Sequence, residues 1–457
     1  MFDLETRKLE PDAFGRAPFT FLDNDYAKDL TDTVAINLIE NGDREARETW
    51  QNRQLTNVLQ HAHRNSQYWR RRMPSRIINH TILKYLPVQT REDIIAQVNS
   101  EGALVKGEGG KPLASYSSSG SSGIPVRVFA CPENFYYNSL RSLAQLFFDD
   151  LSLNESRVRI NQVKAMSRFE EPSGASASPK KWTGPLSLLF RSGVNRTITY
   201  RHDDQALIRD LKKSPVGYLN CQSRHMELIF NCGGIELIKT LGIKLWLHLS
   251  DYRDPQLVQQ LAEIGIPSLS NYSSAEVGAI AFECKKHSGY FHVAHSNVIV
   301  ESDEKSSVTF DGVPLQRLLV THLHSYATPI IRYDLGDFGV LESRCKCGHD
   351  GQTLSNIYGR GKHFLRHPDG RLIPFYISTR LLNEAVSCKE YRFRQTTVDA
   401  ITVEVAGRES ITAEEEHALR TIIHKATDPA FRLDVTPVKQ IDWGDSPKRL
   451  LFSSSVA

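Results

Sequence analysis

The chain has 457 residues, of which 40% are hydrophobic and 24% charged, with a formal net charge of +3. That length exceeds one ordinary core, so two or more domains are expected, and the composition is that of an ordinary globular protein. The near-neutral charge gives no argument for nucleic acid or a membrane surface as partner, and no run of about 18 apolar residues suits a membrane span. The first residues, Met1-Phe-Asp-Leu-Glu-Thr-Arg-Lys, carry no apolar signal core, so a cytoplasmic protein is expected. Seven cysteines in this setting argue against a disulfide framework, and any cluster of them reads first as metal ligands or reactive thiols.

Between residues 43 and 72 the apolar positions Trp50, Leu55, Val58, Leu59 and Ala62 recur at helical spacing. In Leu86-Pro-Val-Gln-Thr-Arg-Glu-Asp93, Thr90 fits an N-cap opening a short helix with acidic residues in its first turn. Tyr116-Ser-Ser-Ser-Gly-Ser-Ser-Gly-Ile-Pro125 follows. Its glycines, Gly120 and Gly123, let the backbone turn tightly. Ser117, Ser118, Ser119, Ser121 and Ser122 supply donors for a phosphate-holding concavity, and a flexible Ser/Gly linker is the plain alternative. Val126-Arg-Val-Phe-Ala reads as a strand, and residues 171 to 185, rich in Ser, Pro, Gly and Lys, as an exposed loop. From about 214 to 300, short apolar runs such as Val216-Gly-Tyr-Leu and Ile243-Lys-Leu-Trp-Leu alternate with helical patches such as Gln256 to Ile264. That rhythm predicts α/β layering around a largely buried sheet. In the last hundred residues Ile401, Val403 and Val405 alternate with polar neighbours as a half-buried strand. Thr412-Ala-Glu-Glu415 then fits a capping box opening a helix to about Ala426. A small α+β domain is expected there.

Several clusters carry chemistry. Asn271-Tyr-Ser-Ser-Ala-Glu276 places a carboxylate beside hydroxyls after an apolar run, a setting for magnesium or for a solvated loop. In Pro329-Ile-Ile-Arg-Tyr-Asp-Leu-Gly-Asp337, Ile330 and Ile331 read as a buried strand and Gly336 as a sharp turn. Asp337 could then accept the two hydroxyls of a ribose, or simply close a surface turn. Tyr358-Gly-Arg-Gly-Lys-His-Phe-Leu365 reads as a hinge or a plain linker. Cys284, His287, His292, Cys345 and Cys347 offer soft N and S ligands for tetrahedral zinc, with buried free thiols as the alternative. Three thiolates and one imidazole would leave no open position, so such a site would be structural.

The order of these segments resembles the adenylate-forming superfamily, in particular the branch of phenylacetate–CoA ligase and capsule-locus adenylating proteins. The resemblance runs from about Leu55 to Lys448. Ser118-Ser-Gly-Ser-Ser-Gly-Ile-Pro125 is similar to the loop that closes over the ATP phosphates. Tyr272 to Glu276, with Ser273 in place of the usual glycine, is similar to the motif whose aromatic lies by the adenine and whose glutamate holds Mg²⁺. Arg332-Tyr-Asp-Leu-Gly-Asp337 is similar to the ribose motif, Gly359-Arg360 to the hinge motif with Lys362 at the pivot, and Lys448 stands at the adenylation lysine. The Cys/His set matches the branch as a zinc site, with His292 as the imidazole ligand in preference to His287.

The resemblance implies an α/β fold with a large N-terminal domain of layered sheets and helices, residues 1–360, and a small mobile α+β lid, residues 361–457. It implies ATP, Mg²⁺ and structural Zn²⁺ as cofactors, and activation of a carboxylic acid, aromatic or an amino acid, to an acyl-adenylate with release of pyrophosphate. Transfer to the thiol of coenzyme A follows. A carrier protein, an amine or hydroxyl acceptor, and a non-catalytic nucleotide-binding homologue are the alternatives. Substrate selection is expected between residues 216 and 276, including Tyr218, Asn220 and His248. A homodimer is left open. Ile124 departs from the pattern, standing where the family keeps a lysine in the phosphate loop, and Arg127 is the nearest replacement cation.

Overall fold

The computed structural model describes residues 24–73, 78–106, 113–117, 126–162, 180–181, 192–200, 203–249, 253, 255–310, 313–359, 364–375, 377, 379–388, 390–442 and 452–456. Helices α1 (Asn24–Asn41), α2 (Arg44–Asn65) and α3 (Gln67–Arg72) come first. Asp43 caps α2 by accepting from the Ala46 amide, and Ser66 ends α2 while capping α3 through the Trp69 amide. The expected apolar face of α2 is buried: Leu55, Val58, Leu59 and Ala62 pack with Trp69, Leu323 and Ile331. Thr90 opens α4 (Arg91–Glu101) through a full capping box with Asp93. Strands β1 (Ala114–Ser117) and β2 (Arg127–Ala130) pair antiparallel, Ser117 opposite Arg127, so they flank the serine-glycine segment as a hairpin.

After α5 (Pro132–Phe148) come β3 (Arg157–Gln162), β4 (Lys180–Lys181), β5 (Val194–Tyr200), α6 (Asp204–Leu211), β6 (Gly217–Cys221), α7 (Ser223–Thr240), β7 (Ile243–Leu249), α8 (Pro255–Glu263) and β8 (Ser268–Ser274). Strands β5, β3, β6, β7 and β8 are parallel neighbours, and β4 pairs antiparallel at the edge. Residues 180–181 are thus strand inside the stretch expected to be loop. Leu219, Cys221 and Trp246 on one face pack with Leu207, Ile229, Ile238 and Leu261 of the helices. This is the buried layering the alternating runs predict.

The sheet continues antiparallel through β9 (Gly278–Cys284), β10 (His287–Val293), β14 (Thr353–Tyr358), β13 (Tyr333–Glu342), β12 (Val313–His322) and β11 (Val298–Phe310). Its core, with Ile280, Val293, Val320 and Leu354, is closed by Ile94 of α4 and Val126 and Val128 beside β2. Here the expectation for residues 329–337 is corrected. Ile330 and Ile331 are buried but precede the strand, and Gly336 lies inside β13 at φ 78°, so Asp337 sits mid-strand and not at a turn.

The C-terminal domain has its own core. Strands β17 (Glu390–Thr397), β18 (Ala400–Ala406), β19 (Arg432–Val438) and β20 (Phe452–Ser454) form a sheet in the order β19-β18-β17-β20. Phe393, Ile401, Val403 and Val405 pack with Leu419 and Ile423 of α10 (Ala413–Ala426) and Leu382 of α9 (Thr379–Ala385). The hairpin of β15 (Phe364–Arg366) and β16 (Leu372–Pro374) precedes it. Thr412 and Glu415 form the expected capping box of α10. Replacing Thr412 with Ala should destabilise this domain by about 1 kcal/mol. Amide exchange in α10 should then quicken roughly fivefold if its opening is a domain event; unchanged exchange would show that the cap contributes nothing.

Candidate functional site

Two motifs separated in sequence are joined through Gln89. Its side chain is buried. Its amide donates to the Arg332 carbonyl at 3.0 Å, its carbonyl accepts from the Asp334 amide at 3.0 Å, and its Oε1 accepts from the Ile331 amide at 3.1 Å. Nε2 donates to Gln97 Oε1 at 3.1 Å. Arg332 itself sits at φ 49°, held by Thr321 Oγ1 accepting from its amide and by Glu301, which takes its Nε at 3.2 Å. This pins the start of α4 beside the strand that carries Asp337.

Arg91, in the first turn of α4, therefore reaches the β8–β9 turn. Its Nη1 lies 3.9 Å from Oε1 of Glu276, a buried carboxylate whose Oε1 has no hydrogen-bond partner. An orphaned buried carboxylate oxygen suits a hard divalent cation carrying its own waters and phosphate oxygens. Tyr272, on β8, donates its hydroxyl to Oδ2 of Asp337 at 2.6 Å. Ser273 follows it, exposed. Three segments thus converge on one locus: the α4 start, the β8–β9 turn and β13. Arg91 was part of a quoted motif without a role; only its contact with Glu276 reveals one.

Ser118, Ser119, Gly120, Ser121, Ser122, Gly123, Arg360, Lys362 and Lys448 lie outside the described residues. Ser117 ends β1. Arg127, the candidate replacement cation, is exposed with its guanidinium 4.9 Å from the Phe129 ring centre.

The three substrate candidates do not share one face. Tyr218 donates to the Ser152 carbonyl at 2.8 Å, and Asn220 is buried with an unpartnered Oδ1. In register they pair with Leu245 and Leu247, whereas His248 pairs with Cys221 and packs beside Trp246 on the helix-covered face. The cause is a register shift between Gly217 and Tyr218 against β7, which inserts one residue. A one-residue slip sends every later side chain to the other face. His248 Nδ1 is 2.9 Å from Ser270 Oγ, a cross-strand contact.

Cys284, His292, Cys345 and Cys347 come together with their ligand atoms all within 4.8 Å of one another. Cys284 ends β9, His292 is on β10, and Cys345 and Cys347 lie between β13 and β14. His287 opens the same hairpin and is not in the group. Cys347 Sγ is 3.3 Å from His292 Nε2. Burial pulls His292 down to about 4, so its imidazole is neutral, and burial pushes the Cys284 and Cys345 thiols up. Ionising buried thiols without a counter-charge is costly, and a bound cation reverses that cost. The donor set therefore fits a closed tetrahedral ion. His349 stacks on His292 with ring centres 4.3 Å apart and donates its amide to Cys347 Sγ at 3.4 Å. Beside this knuckle a cavity of about 590 Å³ is lined by Arg44, Arg47, Gln51, His80, His295 and Gln352; Tyr272, Glu276 and Asp337 are not among its walls.

The architecture is the adenylate-forming enzyme fold with a separate C-terminal domain. A solved structure of 2-hydroxyisobutyryl-CoA ligase in the postadenylation state, in complex with 2-HIB-AMP, superposes with TM-score 0.65 at 14% identity, covering 92% of each chain. The open conformation of that ligase, in complex with 2-HIB-AMP and CoA, gives 0.54 at 12% identity over 91% of this chain and 93% of that one. The GH3.15 acyl acid amido synthetase gives 0.51 at 12% identity over 85% of each. No family model and no curated protein sequence matches the chain. Among the described residues no helix is long and apolar enough to cross a membrane.

One glycine controls the knuckle's packing. A Cβ on Gly351 would stand 2.5 Å from His295 Nε2 and 2.6 Å from His349 Nε2, both on buried rings. Gly351→Ala should destabilise the protein by about 1–3 kcal/mol through overpacking. Thermal unfolding checks this, and an unchanged midpoint would mean that the rings move aside freely.

Proposed function

We propose that this protein activates a carboxylic acid with ATP, forming an acyl-adenylate and pyrophosphate, and then transfers the acyl group to the thiol of coenzyme A. The observation that carries the reading is the meeting of Tyr272, Asp337, Glu276 and Arg91 from separate motifs in the fold of acid-activating ligases. In the first step a carboxylate oxygen bonds to the α-phosphorus while the bond from that phosphorus to the β-phosphate bridging oxygen breaks. The attacking carboxylate is already ionised, so no general base is needed, and catalysis rests on positioning and charge neutralisation.

Asp337 holds the ribose, Tyr272 offers its ring to the adenine, and residues 117–123 cover the phosphates. Lys448 sits against the α-phosphate and the attacking carboxylate. Glu276 would hold Mg²⁺, which neutralises charge on the leaving pyrophosphate. In the second step the acceptor sulfur attacks the acyl carbon and AMP leaves, after the lid, residues 361–457, swings about Lys362 with Arg360 beside it. Cys284, His292, Cys345 and Cys347 would hold a structural Zn²⁺. Coenzyme A is favoured because the solved ligase is described with 2-HIB-AMP and CoA bound. An amine acceptor has the support of the likeness to an amido synthetase. Tyr218 and Asn220 stay together as candidates for reading the acid, on the face away from His248. Seven cysteines free of disulfides in a cytoplasmic enzyme agree with this picture.

ATP–pyrophosphate exchange over a panel of carboxylic acids is the decisive measurement. Exchange with at least one acid is expected; no exchange together with no ATP binding by calorimetry would sink the proposal. Glu276→Gln should lower exchange about a hundredfold and weaken its Mg²⁺ dependence, and Lys448→Ala should lower it at least as much with ATP binding kept. Elemental analysis should find about one zinc per chain, and less than about half an equivalent would count against the structural ion.

A further inference from the structure

In the sheet order β8-β9-β10-β14-β13, Tyr272 and Asp337 stand four strand steps apart. On a flat sheet at about 4.8 Å per step they would be separated by roughly 19 Å. The 2.6 Å hydrogen bond between them means that this half of the sheet curls until its first and fifth strands meet through these two side chains. Both come from strands whose backbone is fixed by the ladder, and the Tyr272 ring packs against the core of Ile280, Ala281 and Val293. At the far side of Asp337 the chain has Gly359, where even a Cβ would stand 3.7 Å from Oδ1. No side chain fills that approach from position 359.

We infer that the Tyr272 hydroxyl is a positioning residue that makes the nucleotide site selective for an intact ribose. The inference rests on the reading of Asp337 as the ribose ligand and goes beyond the placing of the Tyr272 ring near the adenine. An aspartate carboxylate turns easily about its last torsion, which is broad and two-fold. The phenol proton on Oδ2 stops that rotation and takes one of about four lone-pair sites. The remaining sites then face one direction in a fixed plane, ready for two neighbouring hydroxyls at once. Holding the acceptor in place beforehand removes an ordering cost from binding. A site built to accept two hydroxyls also rejects an analogue that lacks one, because the acceptor is left unpaired.

A purely structural clasp, closing the curl and nothing more, is the competing account, and it predicts different numbers. Tyr272→Phe in the full chain removes one oxygen and leaves the ring on its core. Affinities for ATP, 2′-deoxy-ATP and 3′-deoxy-ATP should be measured by calorimetry for both proteins. ATP binding is expected to weaken about fivefold to tenfold, as for one charge-assisted hydrogen bond. The preference for ATP over either deoxy analogue should fall by a similar factor, while the exchange rate at saturating ATP stays within about twofold. An unchanged preference, whether or not thermal stability falls, overturns the inference and leaves the function standing. If the unaltered chain binds none of the three nucleotides, the function itself fails and the inference with it.

Discussion

Gln89 is buried with both its backbone groups and its side chain used to tie α4 to the segment before β13. Each of these bonds adds only about 1 kcal/mol, but any one left unmade in this setting would cost about 1–3 kcal/mol. That asymmetry is why the arrangement is specific. The backbone bridge at Tyr333 fixes where α4 begins, and the Thr90 capping box fixes its direction. Arg91 then has one place to go, beside Glu276. The approach of guanidinium and carboxylate at the β8–β9 turn is thus a consequence of backbone pairing some residues away, not of a local attraction between exposed charges, which is worth little.

A second set of buried polar contacts ties the N-terminal helices to the cysteine knuckle. Arg47 is buried on α2 and donates to the carbonyls of Ile39, Gly42 and Asp350. Asp350 lies just past His349 and also takes Arg44 at 3.0 Å. Glu40 at the end of α1 accepts from the amides of His295 and Ser296, and burial raises its pKa against those hydrogen bonds. The knuckle is therefore gripped on one side by its own ligand set and on the other by α1 and α2. Four ligands drawn from a hairpin and from the connection between two further strands can meet only if this whole layer is assembled.

Much of this was legible where the signal is local. The capping boxes at Thr90 and Thr412, the buried face of α2 and the alternation of strands and helices from 214 to 274 depend on neighbours a few residues away, and the structure has them. The soft-ligand chemistry of Cys284, His292, Cys345 and Cys347 was legible from residue type, with the choice of histidine coming from family resemblance. What spacing alone did not carry was anything set by register. One inserted residue in β7 moves His248 to the face opposite Asn220; without it, pairing parity would have put the two together. Gly336 read as a turn because positive φ is usual there, yet the same freedom serves a bend within a strand. The curl that joins Tyr272 to Asp337 is a sum of twists over five strands, and no window of sequence contains it.

The hairpin β15–β16 shows how the two domains share a boundary. Alternate side chains of a strand face opposite ways, and here the alternation serves two cores at once. Leu365 and Ile373 belong to the C-terminal core, whereas Phe364 and Leu372 pack with Leu315, Phe338 and Tyr358 of the large sheet. The Phe364 ring stands edge-on to Phe338 with centres 6.3 Å apart. Under the proposed pivot at Lys362 the hairpin would travel with the small domain. Its inner face would stay packed while Phe364 and Leu372 left the large sheet. The barrier to that motion then resides in a handful of apolar contacts next to Tyr358 and Gly359, the same stretch of β14 that borders Asp337. Movement of the lid and the surroundings of the candidate ribose ligand are coupled through that short piece of backbone.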